Sequence, residues 1–306
     1  MNGVIIIDKP AGMTSHDVVH RARRILNQRS IGHLGTLDPM ATGVLPLVIG
    51  SFTRLAQFYL SSEKTYEGTI RFGFSTDTYD AEGEPTSTPA TVRLSWEEVE
   101  ALVPRFSGVI AQTPPPFSAK KIKGVPAYKL ARKQQEVRLE PVQVEIKQLE
   151  ILSVDVDRAS FRACVGSGTY MRSIAHDIGQ ALGCGAHLES LRRTSVAEFS
   201  AAEAHTLEEL TAAAGNTAPS ENGQLHGELE EFETLFVHPR KLLPALPSVT
   251  ADEMATAQIR NGRTVNLPEM SRARQVKVFS GQRDLIAIAT RVAGTLFHPK
   301  IVLCGS

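Results

Sequence analysis

The stretch of this 306-residue sequence with the most evident chemistry is GHLGTLDPMATGVLPLVIG, residues 32–50. It is a glycine-punctuated turn that holds one acid, Asp38, and runs into an apolar strand. The turn lacks the Lys-Ser/Thr ending of a phosphate-binding loop and the spacing of a dinucleotide fingerprint. The pattern alone leaves two readings of Asp38: a helix N-cap with Pro39 at the first helical position, or a carboxylate offered to a substrate. Other candidates are weaker when taken singly. His16 and His20 have the i, i+4 spacing of a zinc helix, but Asp17 stands where the Glu base belongs and no third ligand is evident, so they read as solvated positions. Asp77, Asp80, Glu82 and Glu84 do not match a calcium loop and read as a polar turn. Tyr66, on the inward face of a strand, is ordinarily core, and Arg172, on the polar face of a helix, is ordinarily solvated.

The formal net charge is zero, yet charge is unevenly spread along the chain. Arg105 to Lys133 contains seven Lys/Arg and no Asp/Glu, whereas Ala201 to Glu233 contains eight Glu and no Lys/Arg. Local charge is therefore the informative quantity, and the lysines interleaved with Phe117 and Tyr128 suit a nucleic-acid backbone with exposed bases. Cys164, Cys184 and Cys304 are far apart and odd in number, against a disulfide framework or a cysteine zinc site. There is no apolar run of membrane-spanning length, and the N-terminus lacks the features of a signal peptide, so a cytoplasmic protein is expected.

The elements that must position these residues follow from periodicity. Val4–Ile7 reads as a buried strand, with a helix after it that Ser15 would cap. Val44–Ile49 is a second strand. From Tyr66, alternation places Tyr66, Gly68, Ile70, Phe72 and Phe74 on one strand face. Residues 113–133 read as an extended basic excursion rather than core, because of their prolines. Val142–Val156 and Ser160–Val165 read as strands, and Thr169–Leu182 as a helix stopped by Gly183, with Arg172 and His176 away from its apolar face. Residues 211–228 are small and polar, which suggests a mobile insertion. After Pro244–Ser248 come a short helix ending at Asn261-Gly262 and strands at 275–279, 285–290 and 300–304, enough for a small β-rich domain supported by the main body.

Taken in order, the motifs resemble those of the bacterial TruB-type tRNA pseudouridine synthases. GVIIIDKPAGMTS, GHLGTLDPMATGVLPLVIG, KTYEGTIRFG followed by STDTYDAEG, SGTYMRSIAHDIG and GAHLESLRRTSV span residues 3–196. The resemblance implies an α+β pseudouridine-synthase fold, with a central mixed, mainly antiparallel sheet flanked by helices and loops. Residues 1–247 would form the catalytic domain, with a basic RNA-clamping insertion at about 113–142 and a mobile acidic insertion at about 211–233. Residues 248–306 would form a short PUA-like RNA-binding domain.

The implied reaction is isomerisation of uridine 55 in the tRNA T loop, without metal or cofactor, guide RNA or membrane, by a monomer. Asp38 would be the nucleophile, Tyr66 the residue that stacks on the base near its C5 proton, and Arg172 the partner of Asp38. His33 would fill the space left by the extruded nucleotide. Leu191 would line the pocket, Lys9 and Pro10 would buttress it, and Asp80 would sit near it. Lys120, Lys121, Lys123, Lys129 and Arg132 would clamp the T arm. The reaction breaks the N1–C1′ bond, turns the base, joins C5 to C1′ and releases the C5 proton. A carboxylate can serve it by attacking C1′, by adding to uracil C6 or by removing the C2′ proton. The rivals are an RNA-folding protein on the same scaffold, a glycosidase, for which a second flanking acid is missing, and a guide-RNA-dependent enzyme of the dyskerin type.

Overall fold

The computed structural model describes residues 1–118, 120–122, 124–131, 133, 137, 139–215 and 232–303. Lys123, Arg132, Cys304 and the acidic stretch 216–231 lie outside the described residues.

Among the described residues, the larger sheet has the order β1 (Gly3–Lys9), β3 (Thr42–Ile49), β10 (Ala186–Val196), β4 (Lys64–Phe72), β9 (Arg158–Val165), β8 (Val142–Asp155), β5 (Gly108–Gln112). The short strands β2 (Ile31–His33) and β11 (Phe199–Ser200) pair with β3 and β10. All neighbours are antiparallel except β3 and β10, which run parallel through Arg192↔Thr42 and Arg193↔Gly43. The sheet is mixed and mainly antiparallel, as the family resemblance implies.

The apolar run of β1 is continuous because both of its faces are covered. Ile5 and Ile7 pack with Val18, Val19 and Ala22 of helix α1 (Ser15–Ile25) and with Leu207 and Leu210 of α5 (Leu207–Gly215). Val4 and Ile6 belong to a different cluster that reaches the C-terminal sheet. Strand β4 instead alternates: Tyr66, Ile70 and Phe72 enter the central core, and Glu67 points to the other face, where it meets Arg162 of β9 at 2.8 Å. That core also takes Met171, Ile174, Ala175 and Ile178 of α4 (Met171–Ala181).

Three local expectations change. The cap of α1 is Thr14, one residue earlier than expected: it accepts from the Asp17 amide while the Asp17 carboxylate accepts from the Thr14 amide. Ser15 is buried, and its hydroxyl is used elsewhere. No helix follows Asp38 and Pro39; the Ala41 amide donates to the Asp38 carbonyl and the chain turns directly into β3. Finally, the proline run of the basic segment is not solvated, since Pro114 and Pro115 are buried. Beyond it, Lys121–Ile122 (β6) and Val125–Pro126 (β7) form a small hairpin that leads into helix α3 (Ala127–Ala131). Residues 211–215 complete α5, with Ala213 buried.

The C-terminal strands form a five-stranded sheet, β12 (Ser248–Ala251), β14 (Gln275–Ser280), β15 (Asp284–Ala293), β16 (Leu296–Val302) and β13 (Val265–Asn266), with helix α6 (Glu253–Arg260) against it. Its seam with the main body is apolar, with Phe279, Leu285 and Ile288 beside Phe52 and Leu55. Polar ties add to it: Ser51 Oγ donates to Leu303 O at 2.6 Å, and the buried Lys277 Nζ donates to Arg240 O and Leu242 O at 2.9 and 2.6 Å. No helix among the described residues is long and apolar enough to cross a membrane.

Candidate active site

The Asp38 turn sits where the sheet changes from antiparallel to parallel pairing. β3 leaves the turn at Thr42, and its neighbour β10 approaches so closely that a Cβ on Gly43 (φ +100°) would lie 2.2 Å from Arg193 O. Gly35 (φ +115°) similarly lets Arg193 Nη1 come within 3.4 Å of where its Cβ would be. At these two positions glycine lets strand and turn close on Arg193.

The turn is tied from three sides. Lys9 at the end of β1 is fully buried, and its ammonium donates to Pro10 O, Met13 O and Pro39 O at 2.8, 2.6 and 3.1 Å. Burial lowers its pKa from 10.5 to about 8. The Ser15 hydroxyl donates to Leu37 O at 3.2 Å and accepts from Leu37 N at 2.8 Å. Arg193 on β10 reaches the Gly35 and Thr36 carbonyls at 2.9 and 3.3 Å.

Arg172 comes to the turn from α4. Helix α4 starts where Gln112 brackets Tyr170, accepting from its amide at 2.8 Å and donating to its carbonyl at 3.1 Å. Arg172 is 5% exposed, not solvated as a polar helix face would have it. Its Nε and Nη2 face the two Asp38 oxygens at 2.9 and 3.0 Å, so both carboxylate oxygens are engaged. The same guanidinium donates to Thr78 O and Phe117 O, each at 3.1 Å, and lies 3.4 Å from the buried Asp80 carboxylate. Asp80 is held by the Thr78 hydroxyl at 2.6 Å and the Glu82 amide at 3.1 Å. The turn that carries Thr78 and Asp80 is pressed on α4 by Tyr79 (φ +65°), whose ring stacks on His176 at 3.8 Å.

Tyr66 is buried among Leu37, Ala41 and Met171, beside the turn. Leu191 lies two residues before Arg193 on β10 and lines a cleft of about 690 Å³ together with Gly12, Met40, Thr42, Gly68 and Glu82. Met40 of the Asp38 turn and Glu82, which feels the Asp38 charge, join this cleft to the carboxylate. Burial, followed by Asp80 and Asp38, raises the pKa of Glu82. His33 is half-buried on β2, and burial, followed by the Arg193 charge, lowers its pKa and so disfavours the protonated imidazole. Pro10 is exposed and contributes its carbonyl to Lys9.

Among the clamp candidates, Lys120, Lys121 and Lys129 are exposed. His16 and His20 are also exposed and distant in role from the turn. The structure thus brings Asp38, Arg172, Asp80, Tyr66, Leu191 and Lys9 around one turn. It adds Arg193, Gln112 and Tyr170, which sequence reasoning passed over, and Ser15 and Glu82, which read there as a helix cap and part of a polar turn. The signal for Arg193 was its position: a cation two residues from Leu191, on the same inward strand face.

The fold, with its carboxylate turn at the parallel joint of a mixed sheet, matches that of the pseudouridine synthases. A solved structure described as the archaeal box H/ACA sRNP Nop10–Cbf5 complex matches with a TM-score of 0.70 and 26% identity, covering 99% of this chain and 86% of that one. The family model described as TruB family pseudouridylate synthase (N-terminal domain) matches residues 23–171, and that of the tRNA pseudouridylate synthase B C-terminal domain matches 172–236. The tRNA pseudouridine synthase B of Solibacter usitatus (strain Ellin6076) is 50% identical, over 99% of this chain and 100% of its own. That of Aquifex aeolicus (strain VF5) is 39% identical, over 99% and 100%. The chain belongs to the TruB family of pseudouridylate synthases.

Proposed function

We propose that the protein isomerises a uridine of tRNA, position 55 in the T loop, to pseudouridine, and that Asp38 performs the chemistry at ribose C1′ or on the uracil ring. The observation that carries this is the Asp38–Arg172 pair, on the turn whose Met40 lines the cleft: a carboxylate 34% exposed, backed by a guanidinium 5% exposed. The guanidinium faces both carboxylate oxygens and fixes their orientation. Arg172 serves Asp80 as well, so the three groups carry a formal charge of −1. That excess suits a reaction in which the N1–C1′ bond breaks and positive charge develops on the sugar.

The target base must leave its stack, at a cost of a few kcal/mol. Tyr66 and Leu191 would hold the base, and His33 would fill the gap behind it. Lys9, with the Pro10 carbonyl among its acceptors, fixes the turn against the extruded nucleotide. The exposed Lys120, Lys121 and Lys129, with Lys123 and Arg132 of the same segment, would grip phosphates of the T arm. The root of their segment is bound to the site, since Phe117 O accepts from Arg172 and Thr113 O accepts from Ser173 Oγ at 2.7 Å. A basic segment built into the chain supports binding of tRNA without a guide. The C-terminal sheet, with exposed Arg263, Arg272 and Arg274, supports a PUA-like contact with RNA.

The deciding experiment incubates tRNA transcript tritiated at uracil C5 with wild-type and Asp38→Asn protein. Tritium release by wild type alone, mapping to the T loop, is expected. Equal release by both would assign the chemistry to another acid, and release by neither with tRNA binding intact would favour an RNA-folding role.

A further inference from the structure

Arg193 is the largest of the fully buried side chains among the described residues. It lies opposite Tyr66 across the β4–β10 ladder and beside Gly43 across the parallel β3–β10 pair. Its Nε donates to Val44 O at 2.8 Å, Nη2 to Gly35 O at 2.9 Å and Nη1 to Thr36 O at 3.3 Å. The Tyr66 phenol lies close enough to the guanidinium to act on it. Among the described residues it forms no ion pair. A cation buried without an anion is costly, and an apolar chain of similar volume would fill the space at less cost. What an apolar chain cannot do is bind two separate parts of the site at once. The planar fork holds Gly35 and Thr36, which lead through Leu37 into Asp38, and lies beside the Tyr66 phenol.

We infer that Arg193 is a positioning residue that locks the Asp38 turn and the Tyr66 ring into one rigid unit, so that the carboxylate and the ring beneath the base cannot move independently. The inference rests on the function proposed above, in which Asp38 acts on a base held by Tyr66. It assigns to the second arginine of LRRTSV a part distinct from that of Arg172: Arg172 faces the carboxylate of Asp38, and Arg193 holds the backbone that carries it.

The test compares wild type, Arg193→Lys, Tyr66→Phe and the double variant by single-turnover rate, tRNA affinity and amide hydrogen exchange. Lysine keeps the charge but loses the fork, so Arg193→Lys is expected to slow single turnover about 10- to 100-fold, the loss that a displacement near 1 Å brings. Its tRNA affinity should stay within about twofold, because phosphate contacts elsewhere dominate binding. Exchange should quicken at the Leu37 and Ala41 amides of the turn and leave α4 unchanged. In the Tyr66→Phe background, Arg193→Lys should cost less than it does alone, since the link it breaks is already absent. Strict additivity, unchanged exchange in the turn, or a loss confined to affinity would overturn the inference. Should Arg193→Lys fail to fold, Tyr66→Phe alone decides: removing the phenol oxygen must quicken exchange at Leu37 and Ala41, and no change there sinks the idea. Exchange needs no catalysis, so a wild type that makes no pseudouridine would refute the proposed function and leave the coupling to be judged separately.

Discussion

The Asp38 turn and the basic segment after Lys120 both carry residues assigned to RNA, and they are built in opposite ways. Around Asp38, two fully buried cations and a buried hydroxyl are committed to backbone carbonyls of Gly35, Thr36, Leu37 and Pro39. In the basic segment, Lys120, Lys121 and Lys129 lie in solvent, while the backbone bonds to itself through Ala127 N to Lys120 O at 2.7 Å and Tyr128 N to Ser118 O at 3.0 Å. The difference follows from what each must do. Attack on a ribose carbon or ring depends on geometry, and misplacement by about 1 Å can remove two orders of magnitude in rate. Holding phosphates depends on charge, tolerates movement and is weakened by salt.

If the turn is limited by geometry, removing an anchor that touches no substrate in the proposed mechanism should cost rate. Lys9→Met leaves the Pro10, Met13 and Pro39 carbonyls without their donor, and kcat should fall by roughly 10- to 100-fold. The change in affinity for tRNA should be small. The pH dependence is a second readout. Burial disfavours the charged form of Lys9, whose pKa falls from 10.5 to about 8. Its destabilising contribution is therefore full below pH 8 and is relieved as pH rises toward 10.5. Activity moves in the opposite direction, because a neutral amine has only two hydrogens for three carbonyls. Wild-type kcat should decline above about pH 8, and that limb should be absent from the residual activity of Lys9→Met.

Changing Lys120, Lys121 and Lys129 together to Ala should lower the slope of log affinity against log salt by about 2 to 3, roughly 0.7 to 0.9 for each phosphate that is no longer neutralised. Single turnover at saturating tRNA should be nearly unchanged. A large fall in that rate with an unchanged salt slope would mean that the segment orders the site instead of gripping the backbone.

How much of this was legible in the sequence depends on what sets each feature. The alternation from Tyr66 to Phe72 and the apolar periodicity of Met171, Ile174 and Ile178 are local, and the strand and helix formed as read. The helix cap reading of Asp38 failed for a tertiary reason: β3 starts only four residues on and is claimed by pairing with β1 and β10, which leaves no room for a helix. Arg172 looked solvated because a helical wheel shows its polar neighbours, whereas the Thr78, Asp80 and Phe117 groups that bury it come from distant segments. Ser15 looked like a cap because its type fits one; Thr14 and Asp17 supply the capping box, which leaves the Ser15 hydroxyl for Leu37. The motifs located the Asp38 turn, but the cations that hold it were visible only once carbonyls far apart in sequence met.

The smallest expected effect sharpens the comparison by asking how far along α4 the rigid site extends. Asp177 lies one and a half turns beyond Arg172, and burial pushes its carboxyl up from 3.8 to about 6, with only the more distant charge of Arg105 acting against it. The sign is clear: with a folded pKa above the unfolded one, the group costs nothing below about pH 4, and the cost grows as pH rises through 6 and is full above it. The rise from 3.8 to about 6 corresponds to roughly 3 kcal/mol, which solvent screening of this partly exposed group reduces to about 1 kcal/mol. Asp177→Asn keeps the shape and removes the charge. Its unfolding free energy at pH 8 should rise by about 1 kcal/mol, and denaturant titrations at pH 8 and pH 4 should show the gain disappearing in acid. Single-turnover rate and tRNA affinity should match wild type, since Asp177 touches neither the Asp38 turn nor the basic segment. A gain in stability accompanied by a loss of rate would show that this buried charge also serves the site, acting through Tyr79, whose hydroxyl feels it and whose ring stacks on His176. The boundary between the geometry-limited and charge-limited regions would then have to be drawn one helical turn further from Asp38.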